Sequence, residues 1–215
     1  MIFRLALCLL TVCASACTSL SSVLLLGSRN EAAVDTASLD PALKYLRVFV
    51  DGRVALLVLG YVDAHPHGNV ETWYSAKGEV IKLQRGRIVG TVGLSTDWRD
   101  VRQSAPPSWR DLTKKPLEYQ RERDEMPGYR MGIVEQITIR PIPAPIKSQI
   151  SGLDPHGLQW FEESVVSGLL SVDLPRDRFA VRSGQGGDTV VYAEQCLSRD
   201  LCIAWQKWPA TASFE

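Results

Sequence analysis

The sequence predicts a mainly β protein: a single antiparallel β-barrel or sandwich-like domain with little helix, after a leader and a short tether. Two observations carry this reading. Apolar residues recur with a period of two along short segments, and those segments are separated by turns such as Asp51-Gly52, Lys77-Gly78 and Arg85-Gly86. Composition agrees. The chain has 215 residues, 45% of them apolar, with 24 basic and 24 acidic side chains. That is enough chain to bury a core, and too apolar and too balanced for a disordered tail. A nucleic-acid partner is not expected, because binding phosphates calls for a basic excess.

The elements follow in order. Residues 18–43 are small and polar, a tether with a short helix around Asn30 to Ala37. Tyr45 to Val50 alternates, Asp51-Gly52 turns the chain, and Val54 to Tyr61 returns as a strand apolar on both faces, hence central in a sheet. Val70 to Ser75, Glu79 to Gln84 and Arg87 to Leu94 make a three-strand meander. Residues 100–128 break the pattern. Five basic and five acidic residues interleave between Arg110 and Glu125, which reads as a solvated connection, part of it helical from Trp109 to Tyr119.

Ile133, Ile137 and Ile139 restore the alternation and lead into Pro141-Ile-Pro-Ala-Pro145. Alternate prolines remove N–H groups from one side, which reads as an edge strand protected against further pairing. Leu158 to Val166, Arg178 to Arg182, Thr189 to Gln195 and Cys202 to Trp208 supply four more strands, for nine to eleven in all. Gly184 to Asp188 is a turn without the spacing of a phosphate loop.

The first residues, MIFRLALCLLTVCASACTSL, read as an export signal: Arg4, then an apolar run from Leu5 to Val12, then small residues. Ala14-Ser15-Ala16-Cys17 resembles a bacterial lipoprotein cleavage box, with alanine where the box usually has leucine. On that reading residues 1–16 are a signal peptide, Cys17 is the lipid attachment site, 17–43 is the tether and 44–215 is the β domain. The rival readings are an uncleaved anchor, since no residue from Leu5 to Gly27 is charged, and simple secretion. Six hydroxyl residues in the middle of that span argue against the anchor.

Cleavage before Cys17 would discard Cys8 and Cys13, leaving Cys196 and Cys202 as one pair across a hairpin turn. An oxidising compartment favours a disulfide there. A metal site would need further ligands, and a redox pair would need Cys-x-x-Cys.

Chemistry has few signatures. His65-Pro66-His67 near Asp63 is the most metal-like cluster, but proline spreads the rings and no third ligand follows, so no metal or cofactor is assigned. His156 belongs to a turn. No nucleophile elbow occurs, and Glu162 and Glu163 are adjacent on a strand and so face opposite sides. The aromatic residues are more suggestive. Trp73 and Tyr74 are neighbours, so one ring points in and the other out. With Arg87, Trp98 and Arg99 they are candidate glycan or partner contacts, although tryptophans in a β domain mostly fill its core.

The stretch from Glu71 to Leu94, ETWYSAKGEVIKLQRGRIVGTVGL, followed by Asp97-Trp98-Arg99 and preceded by Val58-Leu-Gly-Tyr61, resembles the signature region of the YjbF/GfcB family. These are lipoproteins encoded with group 4 capsule and exopolysaccharide export systems. The resemblance implies a periplasm-facing accessory attached to the outer membrane, in contact with polysaccharide or with outer-membrane export proteins. It carries over no catalytic residues, so no enzyme activity is expected. Thr18 after the lipid cysteine, rather than aspartate, fits outer-membrane sorting. The alternatives are a periplasmic glycan-modifying enzyme and a structural envelope lipoprotein. Without residues 1–16 the chain keeps 23 basic side chains against 24 acidic, a net of −1. Any contact with polysaccharide must then come from local groups rather than long-range attraction.

Overall fold

The computed structural model describes residues 31–112, 115–169, 173–184 and 187–211, so the leader, Cys17 and the start of the tether lie outside it. After a short helix α1 (Glu31–Asp35) come β1 (Tyr45–Val50), β2 (Arg53–Asp63), β3 (Val70–Tyr74), β4 (Val80–Gln84) and β5 (Arg87–Val92). Then follow β6 (Asp97–Gln103), β7 (Leu117–Met126), β8 (Arg130–Ile142) and β9 (Gln159–Leu169). The last three are β10 (Asp177–Gly184), β11 (Gly187–Cys196) and β12 (Cys202–Trp208).

All twelve form one antiparallel sheet in the order β5-β4-β3-β2-β1-β12-β11-β10-β9-β8-β7-β6. Each strand pairs with its neighbours in sequence except β5 with β6, and the first pairs with the last, Tyr45 opposite Trp208 through Val50 opposite Ile203. The result is an up-and-down barrel, nearly closed. Its open seam lies in mid-chain, between β5 and β6. There no backbone ladder is made among the described residues, and side chains bridge instead. Trp98 N–H donates to Thr91 Oγ1 at 3.0 Å, and the Asp97 carboxylate accepts from Gly93 and Leu94 N–H at 3.0 and 3.2 Å.

Alternation fills the interior rather than leaving a pore. Leu46, Val48, Leu57, Trp73, Ile81, Leu83, Ile88, Phe161, Phe179 and Trp205 form one apolar cluster there. On the outer wall, α1 lays Val34 against Tyr45, Val54, Leu56 and Trp208. Arg47 Nε donates to Asp35 Oδ1 at 2.8 Å, so from Glu31 the tether segment is docked on the barrel. The Cys196–Cys202 disulfide is present with S–S 2.01 Å and staples the β11–β12 hairpin. So short a loop contributes roughly 2 kcal/mol.

Three expectations need correction. Residues 100–128 are not a solvated connection: they hold the end of β6 and all of β7, with a 3-10 turn at Trp109–Leu112 where helix was expected. The period-two signal was present but written in charge. Tyr119, Arg121, Arg123 and Glu125 point inward and are buried, while Glu118, Gln120, Glu122 and Asp124 alternate with them. Second, β8 is not an edge strand. It pairs with β7 up to Ile139 opposite Leu117 and with β9 as far as Ile142 opposite Trp160. Only the short stretch at Pro141 has one free side, where β7 has already ended. Beyond it, Ala144 and Ile150 fold over Trp160, Ala180 and Tyr192 on the outer wall. Third, the two hidden strands raise the number from nine to eleven to twelve.

Candidate functional site

The charged strand β7 places an ion-pair network inside the barrel. Glu135 on β8 receives Arg121 Nε at 2.7 Å and Arg123 Nη2 at 2.9 Å, and Arg123 also binds Glu125 at 2.6 Å. Both guanidinium groups lie over the Trp98 ring, 4.4 and 4.5 Å from its centroid. Arg87 forms a second interior pair. Its Nε donates to Glu163 Oε1 at 2.8 Å, with the guanidinium 4.3 Å from the Trp109 ring centroid. Tyr119 donates its hydroxyl to Glu163 Oε2 at 2.9 Å, and burial then pushes that phenol well above its usual range.

Glu162, on the opposite face from Glu163, accepts from Arg140 Nη2 at 2.8 Å and Arg176 Nη1 at 2.9 Å. Burial would raise its carboxyl, but those two cations outweigh it and hold it below the usual carboxylate range. The adjacent glutamates therefore face apart, each held by its own arginines, and form no acid–base pair.

Of the five candidate contact residues, Trp73, Trp98 and Arg87 are buried, at 0%, 0% and 1% exposure. Trp73 Nε1 donates to Glu71 Oε2 at 3.1 Å, and Trp98 Nε1 donates to Leu197 O at 2.9 Å. All six tryptophans belong to packed regions. Tyr74 and Arg99 are exposed, at 39% and 48%. The inward ring and outward ring expected of Trp73-Tyr74 are as the alternation requires. The structure does not bring the five residues together: Tyr74 stands on the outer wall of β3, and Arg99 at the β5–β6 seam.

Along that seam runs a groove of about 530 Å³. The β2–β3 loop forms one bank with His65, Pro66 and His67, while Lys82, Gln84 and Gly90 form the floor; Arg99, Arg102 and Gln103 line the β6 side. The His65 ring organises its own loop, with Nδ1 2.8 Å from Gln84 Nε2 and accepting from His67 N–H at 3.2 Å. Arg102 is engaged by Glu122 at 2.7 Å and Asp100 at 3.4 Å. Arg99 is held only loosely, 3.8 Å from Asp97. Among the described residues Lys82 has no carboxylate partner.

Beside the groove stands an aromatic pair that the sequence reading did not single out. Tyr61 and Tyr74 have ring centroids 6.3 Å apart and tilted by 46°, and both are exposed. A register shift in β2 between Leu59 and Tyr61 leaves Gly60 under the Tyr74 ring, where a Cβ would lie 2.5 Å from Cε2. The only available signal was a glycine inside an apolar strand beside a tyrosine, a mark of close approach by another group. The Tyr61 hydroxyl, by hydrogen bonding, raises the pKa of Tyr74.

A solved structure with the same architecture is the hypothetical lipoprotein YmcC from Escherichia coli K12. It aligns with TM-score 0.61 and 17% identity, over 79% of this chain and 89% of that one. No curated protein matches the chain. The family model described as "Group 4 capsule polysaccharide lipoprotein gfcB, YjbF" matches residues 28–146, more than half the sequence, from α1 through β8. The chain belongs to the YjbF family of group 4 capsule polysaccharide lipoproteins.

Proposed function

We propose that the protein is an outer-membrane lipoprotein, held by lipid on Cys17 and facing the periplasm, that serves as a non-enzymatic accessory in capsule or exopolysaccharide assembly or secretion. The observation that carries this reading is the match of residues 28–146 to a capsule polysaccharide lipoprotein family. The barrel supports it. Its interior is filled by apolar side chains and by arginine-paired carboxylates, so Glu135 and Glu163 inside, like Glu162 on the outer wall, are engaged by arginines instead of converging on a cleft. Its partners on this reading are the membrane, through the lipid, and polysaccharide or outer-membrane export proteins, through the outer wall.

Deleting the gene and measuring surface polysaccharide tests the proposal. Loss of capsule or exopolysaccharide is expected, with restoration by the wild-type gene. Acyl labelling is expected in the wild type and not in Cys17→Ser. Normal surface polysaccharide in the deletion strain would refute the accessory role, and equal label in both proteins would refute the anchor.

A further inference from the structure

On the outer wall, one register row crosses four strands: Tyr61 opposite Thr72, Thr72 opposite Lys82, and Lys82 opposite Gly90. Trp73 and Ile81 lie in the interior, so their neighbours along β3 and β4 face outward. At about 4.8 Å between strands the row is ~14 Å long. Tyr74 flanks its first end, and its other end runs into the groove beside Arg99.

The groups along it differ in kind. At one end are two exposed rings, one resting against the bare backbone of Gly60. At the other are two cations. Gly90 has no side chain, and the Lys82 stem lies in that space, with Cδ 3.4 Å from where a Cβ would be. Lys82 has no ion-pair partner among the described residues, and Arg99 is 48% exposed with its nearest carboxylate at 3.8 Å. That carboxylate, Asp97, already accepts two backbone N–H groups. Two buried polar atoms nearby also lack partners: Thr72 Oγ1, between Tyr61 and Lys82, and Gln103 Nε2, in the groove lining. A buried polar group left without a hydrogen bond costs stability, which a ligand supplying the partner recovers.

We infer that this strip binds an acidic glycan, a chain of sugars carrying uronate-type carboxylates. Sugar C–H faces pack on Tyr61 and Tyr74, and a carboxylate meets Lys82 and Arg99. Aromatic rings alone would serve a neutral sugar equally well; the two under-paired cations select the acidic one. This inference rests on the polysaccharide reading above and adds the class of sugar.

The test is calorimetric binding of the full mature chain in detergent to an oligogalacturonate, beside the same oligomer with its carboxyl groups reduced to alcohols. The acidic oligomer is expected to bind about tenfold tighter or more. Tyr74→Ala should weaken it about tenfold, while Tyr74→Phe preserves binding. Lys82→Gln and Arg99→Gln should each erase most of the preference for the acidic oligomer. All four substitutions are on the outer wall, so thermal unfolding should stay at the wild-type midpoint. Equal affinity for the two oligomers would overturn the acidic selection, and unchanged affinity in Tyr74→Ala would overturn the strip as the site. Binding of neither oligomer would overturn the inference as a whole. The accessory role is read separately, from the surface polysaccharide of the deletion strain.

Discussion

Glu135→Ala is expected to remove about 3–5 kcal/mol of stability, enough to unfold much of the population of a domain of ordinary stability. Glu135 is fully buried and stands between two buried arginines, so its loss leaves both cations inside the barrel without their shared carboxylate. The cost comes from stranding those charges rather than from losing the attraction itself. Burial alone would raise the Glu135 carboxyl, but Arg121 and Arg123 reverse that and hold it below the usual range. Its contribution is therefore present above the unfolded carboxylate pKa and lost as pH falls through the folded one. Replacing all three residues together by apolar ones of similar volume should cost far less than removing Glu135 alone. Denaturant midpoints of the two variants make the comparison. A loss below about 1 kcal/mol in Glu135→Ala would contradict the network as drawn.

Asp177→Asn should remove a pH trend. Asp177 begins β10 inside the barrel, and Oδ1 accepts the Cys196 N–H at 2.9 Å. Burial pushes its carboxyl up from 3.8 to about 7; Arg121 and the Cys196 N–H oppose this, while Glu163 and Glu135 add to it. Ionising Asp177 would give the interior a fourth carboxylate beside Glu125, Glu135 and Glu163, against Arg87, Arg121 and Arg123. Because the folded pKa is raised, the folded state keeps a proton between pH 3.8 and about 7 that the unfolded chain releases. Stability from this group thus falls as pH rises across that window and is flat above it. The full shift corresponds to on the order of 4 kcal/mol. Asparagine keeps the acceptor without the charge. The variant should match wild type near pH 4 and exceed it by a few kcal/mol at pH 8. Urea midpoints at the two pH values decide it, and parallel curves would contradict the account.

These two residues also show why part of the fold was hard to read. Ten strands carry their period-two pattern in apolar letters, and Tyr45 to Val50 or Cys202 to Trp208 can be taken from the sequence directly. β7 carries the same pattern in Arg121, Arg123 and Glu125, which in isolation look solvated. They are inside because Glu135, opposite Arg121 on the next strand of the same hairpin, takes both arginines, a match that shows only once the β7–β8 register is known. β6 was lost with it, and the position of the barrel seam went too.

The candidate site was legible in pieces. Outward Tyr74 follows from inward Trp73, and Arg99 and Arg102 follow Asp97-Trp98 on β6. Lys82 and Tyr61 gained meaning only from the register that sets them in one row, because register depends on which strands meet. The tryptophans drew attention by their chemistry but fill the packed regions, and the exposed aromatic face is made of tyrosines.

The central claim is that the outer strip of the barrel, and not its filled interior, performs the function. The direct measurement is surface polysaccharide in the deletion strain carrying the triple variant Tyr74→Ala, Lys82→Gln and Arg99→Gln at wild-type protein level. The account predicts that polysaccharide stays deficient although the variant folds and is retained in the envelope. Full restoration by that variant would contradict it.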